Sequence, residues 1–526
     1  MKRKLANCPA CGGLLEFPLS TALVTVCSYC HSVLAHEGKN LEDHGKVADL
    51  VETDSRIYRG LNGRFGKKPF EVIGRVQYQH PAGGVWDEWY LTFPGDQVKW
   101  LAEAQGKLYL MAEKRVKDQT PLPGFEVLAV GESLELPGGK TLIVAEKGLA
   151  TIRSADGDIP WAFRPNAEHR FADLHGSDGE FATIEYGSNE TRFFLGREVS
   201  PQELGLPVQG GVTEAPTSAN TTALQINCPH CAGPLALMAP DETQRVCCPN
   251  CHSLLDCEQG KLRYLKTLHF SGSVKPVIPL GSVGKLADVE YTVIGFMERY
   301  VSEAGEIYPW TEYLLYSSAV GFRWLICNKG HWSFAESVTL GVKPSNNSVT
   351  FEGTEYKLFD RGTARVRYVV GEFYWRVHDG EQAATEDYIA PPHMLSFEQT
   401  KSSGGGERNV SKATYLPIES LESAFGLTDL PRPWGIGTIQ PNPHSSDVWL
   451  IWAGFLVVSF VLLGLYGFLV PMPGGTHAAD RIFHFFVALV ALTAWPVGTV
   501  IVQHQREVSR WKDSDYSPYA QGESNE

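Results

Sequence analysis

The stretch "VCCPNCHSLL" (Val246–Leu255) repeats a phrase already present as "VCSYCHSVL" (Val26–Leu34), and each copy closes a pair of cysteine knuckles. The first pair opens with "NCPACGG" (Asn7–Gly13). It sets Cys8, Cys11, Cys27 and Cys30 in the pattern C-x2-C-x15-C-x2-C. The second opens with "NCPHCAG" (Asn227–Gly233) and sets Cys228, Cys231, Cys248 and Cys251 as C-x2-C-x16-C-x2-C. Two knuckles joined by a short hairpin present four thiolates as a tetrahedron, which suits Zn2+. Gly12, Gly13, Ala232 and Gly233 leave room for backbone amides to turn toward the sulfurs. With all four positions filled by cysteine no coordination place stays open, so two structural zinc ions are expected and no catalytic metal. His31 and His252 follow the fourth cysteine of each set and are read as hydrogen-bonding residues, not as further ligands. Cys247, Cys257 and Cys327 have no counterpart in the first copy and read as small buried apolar residues.

The repeat extends well past the cysteines. "GLNGRF…FEVIGRVQY" returns as "GSVGKL…YTVIGFMER", so Gly60, Gly63, Arg64 and Gly74 match Gly281, Gly284, Lys285 and Gly295. "WDEWYL" (Trp86–Leu91) answers to "WTEYLL" (Trp310–Leu315), and "KWLAEAQG" (Lys99–Gly106) to "RWLICNKG" (Arg323–Gly330). "AEKGLATIRSADGDIPW" (Ala145–Trp161) pairs with "FDRGTARVRYVVGEFYW" (Phe359–Trp375), and "PQELGL" (Pro201–Leu206) with "LESAFGL" (Leu421–Leu427). A whole module is therefore duplicated. Its short runs of β-branched and aromatic residues, punctuated by Gly, Pro and Asp, predict a mainly β chain. The expected fold is two zinc ribbons and two antiparallel β domains, sandwich-like or barrel-like, with a C-terminal two-helix transmembrane hairpin.

The expected boundaries are ribbon 1 over 1–37, β domain 1 over 55–205, a linker over 209–224, ribbon 2 over 225–258 and β domain 2 over 275–428. The linker "QGGVTEAPTSANTTA" (Gln209–Ala223) has a flexible composition, and a stiffer proline-bearing tether spans 429–447. The frame of a G-x-x-G-[RK] turn, a "VIG" strand, W-x-E-[WY] and [KR]WL resembles the bacterial domain-of-unknown-function family 4178, in two copies over most of 55–205 and 275–428. The resemblance implies domains often fused to zinc ribbons. It also implies genes that neighbour those for small membrane proteins, polyamine-synthase-like enzymes and membrane-stress proteins. It brings no activity with it.

With 46 basic against 60 acidic residues the net charge is -14, which argues against general nucleic-acid binding. "MKRK" at the N-terminus is followed by no apolar run, so it is not read as a secretory signal. Two apolar runs, 448–470 and 482–502, have the length to cross about 30 Å of hydrocarbon. Arg506, Arg510 and Lys512 follow the second run, which by the positive-inside rule predicts a cytoplasmic tail over 503–526. The expected location is thus the bacterial inner membrane, multi-pass, with both termini cytoplasmic and the two C-terminal helices in contact with lipid.

Comparison of the copies yields no catalytic residue. Glu88 recurs as Glu312, but Asp87 becomes Thr311 and Glu103 becomes Cys327, so no carboxylate pair is evident for acid–base work. Glu146 and Asp360, in "EKG" and "DRG", read as turn residues. Trp86 and Trp100 recur as Trp310 and Trp324 and read as core anchors before recognition surface. The basic sets Arg56, Arg59, Arg64, Lys67, Lys68 and Lys261, Arg263, Lys266, Lys275, Lys285 read as solvated faces. The preferred function is a membrane-anchored interaction scaffold, enzymatic activity being disfavoured, that binds unidentified protein partners. One alternative is an accessory enzyme or ligand sensor linked to polyamine metabolism, which a deep pocket lined by matching polar residues would favour. The second alternative is a nucleic-acid-binding ribbon protein.

Overall fold

In each copy the alternating segments pair antiparallel and the ring of strands closes. The computed structural model describes residues 4–519 except 18–22, 38–39, 52, 54, 81–83, 96, 105, 115–121, 137–138, 188–190, 207–223, 241, 259–260, 269–273, 304, 346, 403–404, 444–446 and 470–477. The expected linker lies almost wholly outside the described residues.

The first domain contains β1 (Lys68–Gln79), β2 (Val85–Phe93), β3 (Gln97–Ala104), β4 (Lys107–Glu113), β5 (Lys140–Ile159), β6 (Glu168–His175), β7 (Glu180–Tyr186) and β8 (Thr191–Val199). Pairing runs β1-β2-β3-β4-β8-β7-β6-β5 and returns to β1, which makes a closed barrel. Closure removes the free edges that would otherwise template aggregation. The second domain repeats the order with β9 (Val289–Glu303), β10 (Glu306–Ser317), β11 (Gly321–Asn328), β12 (His331–Ser337), β13 (Thr354–Phe373), β14 (Gln382–Ala390), β15 (His393–Ser402) and β16 (Gly405–Leu416). Its ring is β9-β10-β11-β12-β16-β15-β14-β13.

The long strands β5 and β13 hold each module together. β5 pairs with β6 along its first half, with β1 along its second, and through Gly157–Ile159 with the ribbon strand Val24–Val26. β13 does the same with β14, β9 and the ribbon strand Arg245–Cys247. Bulges fall at matching places, Val144/Glu146 with Leu358/Asp360 and Val72/Gly74 with Val293/Gly295. Glu146 and Asp360 therefore sit at bulges inside strands, a correction to their reading as turns; a bulge and a turn share the need for a local kink. The glycine of "VIG" is required by close approach: a Cβ on Gly74 would lie 2.2 Å from the Asp158 carbonyl oxygen, and one on Gly295 2.4 Å from that of Glu372.

Large side chains fill the barrels. Tyr78, Tyr90, Trp100, Phe171 and Phe194 pack in the first, and Phe296, Tyr313, Leu325, Trp332 and Tyr368 in the second. The barrels meet along a backbone seam, where Glu146 pairs with Glu407 and Lys147 with Gly406. Nearby the Gly341 amide donates to the Gly176 carbonyl at 2.9 Å, and the Thr339 hydroxyl donates to Glu198 at 2.9 Å.

A short helix α1 (Ile418–Phe425) closes the second copy, where the first has only turns at the equivalent Pro201–Gly205. The two apolar runs form α2 (Asp447–Leu469) and α3 (Ala478–Arg510). Among the described residues, however, no helix is long and apolar enough to cross a membrane. This corrects the expected transmembrane hairpin, and with it the multi-pass inner-membrane location. Of the segment expected as a cytoplasmic tail, residues 503–519 are described, and they begin with the last turns of α3. α3 continues past the apolar run through charged residues, and its end packs on the second barrel. Arg506 donates to Asn442 at 3.4 Å, Arg510 donates to the Gln440 carbonyl at 2.6 Å, and Trp511 rests 5.3 Å from the Phe359 ring. The tether is likewise laid down, with Leu430 and Ile439 buried and the Trp434 amide bonded to the Lys329 carbonyl at 2.9 Å.

Candidate functional site

Each cysteine set stands on two hairpins. In the first ribbon Lys4–Asn7 pairs with Leu14–Phe17, and Val24–Val26 with Ser32–Glu37; the second ribbon uses Leu224–Asn227 with Pro234–Leu237, and Arg245–Cys247 with Ser253–Glu258. Every knuckle turns through an amide bonded to the first cysteine's carbonyl, from Gly12, His31, Ala232 and His252, at 2.8–2.9 Å. These four residues take positive φ, of 76°, 60°, 57° and 56°. The two histidines thus serve the turn through their backbone, in keeping with a non-ligand reading.

The structure brings Cys8, Cys11, Cys27 and Cys30 together, and separately Cys228, Cys231, Cys248 and Cys251, each set with its sulfurs within 4.8 Å of one another. The Sγ–Sγ separations are 3.7 Å for Cys8–Cys30 and Cys11–Cys27, 3.8 Å for Cys228–Cys251 and 3.9 Å for Cys231–Cys248. A tetrahedron with metal–sulfur bonds of about 2.3 Å has edges of about 3.8 Å, so both sets can hold a thiolate-bound metal ion. The Ser32 hydroxyl pulls the Cys30 thiol down to about 6. At Cys251 burial opposes the thiolate, yet hydrogen bonds from Ser253 and His230 carry it down to about 5. One sulfur in each set is therefore prepared to ionise. Cys247 and Cys257 are buried and Cys327 half-buried, none of them in a cluster.

A second feature lies between the barrels, a cavity of about 1300 Å³. The first copy lines it with Trp86, Glu88, His169, Phe171, Asp173 and Thr183. The second contributes Arg299, Trp310, Glu312, Asp387, Ser396 and Glu398. Register ties the two sets together. Tyr78 faces Trp86 across β1 and β2 as Arg299 faces Trp310 across β9 and β10, with Val76–Glu88 and Met297–Glu312 the next aligned pairs. Glu146–Asp173 and Asp360–Asp387 are equivalent, as are Asp173–Thr183 and Asp387–Ser396. Two positions farther on, Glu185 matches Glu398.

Matching positions make matching bonds. The Trp86 indole N–H donates to Glu88 at 3.2 Å, and that of Trp310 to Glu312 at 2.6 Å. Thr183 donates to Asp173 at 2.7 Å, and Ser396 to Asp387 at 2.5 Å. Burial pushes Asp173 up to about 8 and Asp387 to about 7. Glu185 rises to about 7, again through burial, against the pull of Arg192 at 3.4 Å. His169 falls to about 4 because burial and Arg192 both disfavour its cation.

The tryptophans divide between the two readings. Trp100 is core, whereas Trp86, Trp310 and Trp324 line the cavity. Asp87, which the copies do not share, is held by Arg75 at 2.6 Å and is structural. Several basic residues are paired at the surface, including Arg59 with Asp156 and Arg263 with Asp256. Sequence comparison missed the repeated carboxylates Asp173/Asp387 and Glu185/Glu398. Their signal was present in "TIE" (Thr183–Glu185) against "SFE" (Ser396–Glu398), each preceded by an aspartate on the neighbouring strand.

No curated protein matches the chain. Among solved structures, the Pseudomonas aeruginosa MucA/MucB complex is 9% identical, with 71% of this chain and 95% of that chain covered and a TM-score of 0.09. MucB bound to the MucA periplasmic segment is 8% identical over 71% and 94%, also at 0.09. Scores this low carry no argument about the fold. The profile of the domain of unknown function DUF4178 matches residues 59–201 and 279–417, which are the two barrels and more than half of the sequence. The chain therefore belongs to the DUF4178 family, as two tandem copies.

Proposed function

We propose that this protein binds a small molecule in the cavity between its two barrels, each barrel headed by a ribbon folded around a structural zinc ion. The observation that carries the binding role is the matched polar lining: the same indole–carboxylate pair and the same hydroxyl–aspartate pair face one cavity from both copies. Sites for small ligands are concave, mostly apolar and equipped with a few converging polar groups, which describes this lining. Buried acids cost stability unless something uses them, so their repetition in both copies supports a binding role over a packing role.

Zinc is supported by the all-thiolate donor sets and their tetrahedral edges. Four protein ligands leave no place for substrate, so the ion supplies folding energy to a ribbon whose own core is small. The test of the binding role is extraction of small molecules from natively purified protein, followed by native mass spectrometry. A compound bound in stoichiometric amount, and lost in Trp86→Ala/Trp310→Ala protein that still folds, supports the reading. Protein that neither carries nor takes up any compound from a cell metabolite extract overturns it.

A second reading, as an interaction scaffold, draws support from the first ribbon. Leu5, Leu14 and Tyr29 stand exposed there, and an apolar surface of that kind suits a protein partner. Crosslinking that captures a partner with wild-type protein and loses it with Leu5→Ser/Leu14→Ser protein supports this reading, and capture of no partner by wild-type protein removes it.

A further inference from the structure

The two copies differ at one position in a way that assigns a ligand class. In the second copy Arg299 reaches Glu312 at 3.2 Å and Glu398 at 2.8 and 3.0 Å, with its guanidinium carbon 5.7 Å from the centre of the Trp310 ring. Both carboxylates of that copy are thereby neutralised from within the chain. At the equivalent position the first copy has Tyr78, whose ring stacks 4.9 Å from Trp86 but brings no charge. Glu185 finds a cation of its own in Arg192, from the position that Asn409 holds in the second copy. Glu88 does not. One of its oxygens accepts from Trp86, and the other is buried without a well-formed hydrogen bond, the Trp100 indole being the further donor near the carboxyl; the Tyr78 hydroxyl is likewise buried without a partner. Glu88 is 6% exposed and Tyr78 fully buried, yet Glu88 lines the cavity. An unpaired buried acceptor of this kind is costly and gains most from a charged donor.

We propose that the first copy binds a small organic cation with a guanidinium or primary ammonium head on Glu88, against the Trp86 indole, and that Arg299 is the second copy's built-in substitute for that ligand. This rests on the small-molecule reading above and adds the class and the copy. The cation would donate to the second Glu88 oxygen from the cavity side, and the aromatic wall of Trp86 and Phe171 would shield its aliphatic part. Burial, followed by the nearby Glu185 charge, keeps the empty Glu88 carboxyl well above the usual range, consistent with a group that ionises only when a cation arrives.

The experiment is calorimetric titration of the full chain with n-propylguanidinium (the excised arginine side chain), n-butylammonium and the neutral n-propylurea. Wild-type protein is expected to take one equivalent of a cation and to bind the urea at least tenfold more weakly. Glu88→Gln should weaken the cation at least tenfold, and Tyr78→Arg, which copies the second barrel's own plug, should abolish binding. Arg299→Ala should open a second site and raise the stoichiometry from one to two. Should that variant fail to fold by circular dichroism, Arg299→Met takes its place. Absence of cation binding by folded wild-type protein, or binding unchanged in both Glu88→Gln and Tyr78→Arg, overturns the assignment. The small-molecule reading itself stands or falls separately, on the extraction experiment.

Discussion

A single cysteine decides whether a ribbon's four-sulfur set is complete. Cys8→Ser should lower the metal content from two ions per chain to one and unfold the first ribbon, and Cys228→Ser should do the same to the second. Structural zinc contributes about 10–16 kcal/mol to modules of this size, far more than their small cores could replace. Metal analysis with hydrogen exchange over each ribbon checks both variants. The buried aspartates act in the opposite sense. Burial, reinforced by the like charges of Glu146 and Glu185, pushes Asp173 up to about 8 in the folded protein, against roughly 3.9 unfolded. Between those values the folded state keeps a proton that the unfolded state has released, so stability falls as pH rises from about 4 to about 8. Asp173→Asn carries no charge at any pH and should gain on wild type across that window, by on the order of 2–5 kcal/mol at the upper end. Urea midpoints at pH 5 and pH 9 read the difference.

At the scale of elements, the junction between ribbon and barrel depends on paired glycines. Gly157 has φ of 77°, and a Cβ there would meet the Ile73 carbonyl oxygen at 2.3 Å; Gly371 repeats this with φ of 92° and the Ile294 carbonyl at 2.3 Å. Gly157→Ala should cost about 1–3 kcal/mol through backbone strain and displacement of the β1–β5 ladder. The loss should be visible in chemical denaturation and in faster exchange of the Val24–Val26 amides. Element type was legible in the sequence because alternation and turn residues agree along both copies. The bulges were not, because a slip of one residue leaves the pattern of apolar residues almost unchanged while re-aiming every side chain after it. That slip is why "EKG" and "DRG" looked like turns.

At the scale of the molecule, the two copies fold against each other along a seam where two glycines leave no room for a side chain. A Cβ on Gly405 would lie 1.7 Å from the Lys147 carbonyl oxygen, and one on Gly341 1.7 Å from that of His175. Gly405→Ala/Gly341→Ala should part the barrels without unfolding either, so that one calorimetric transition becomes two, and should enlarge the cavity opening enough to weaken any ligand held between them. The C-terminal segment belongs to the same body. Arg506, Arg510 and Trp511 are buried against the second barrel and its tether, so removal of residues 503–519 should destabilise that barrel more than the first.

The sequence alone determined which cysteines cluster, the duplication, the β character of the modules and the family, because each rests on local spacing or on a pattern repeated within the chain. Only the tertiary structure decided that each ring of strands closes, that the barrels share a cavity, and that the charged end of α3 packs on protein. It also revealed the carboxylates that face one another from different strands. Those outcomes depend on register and long-range pairing, and a carboxylate's role is set by which cation comes within about 4 Å of it once the chain has folded.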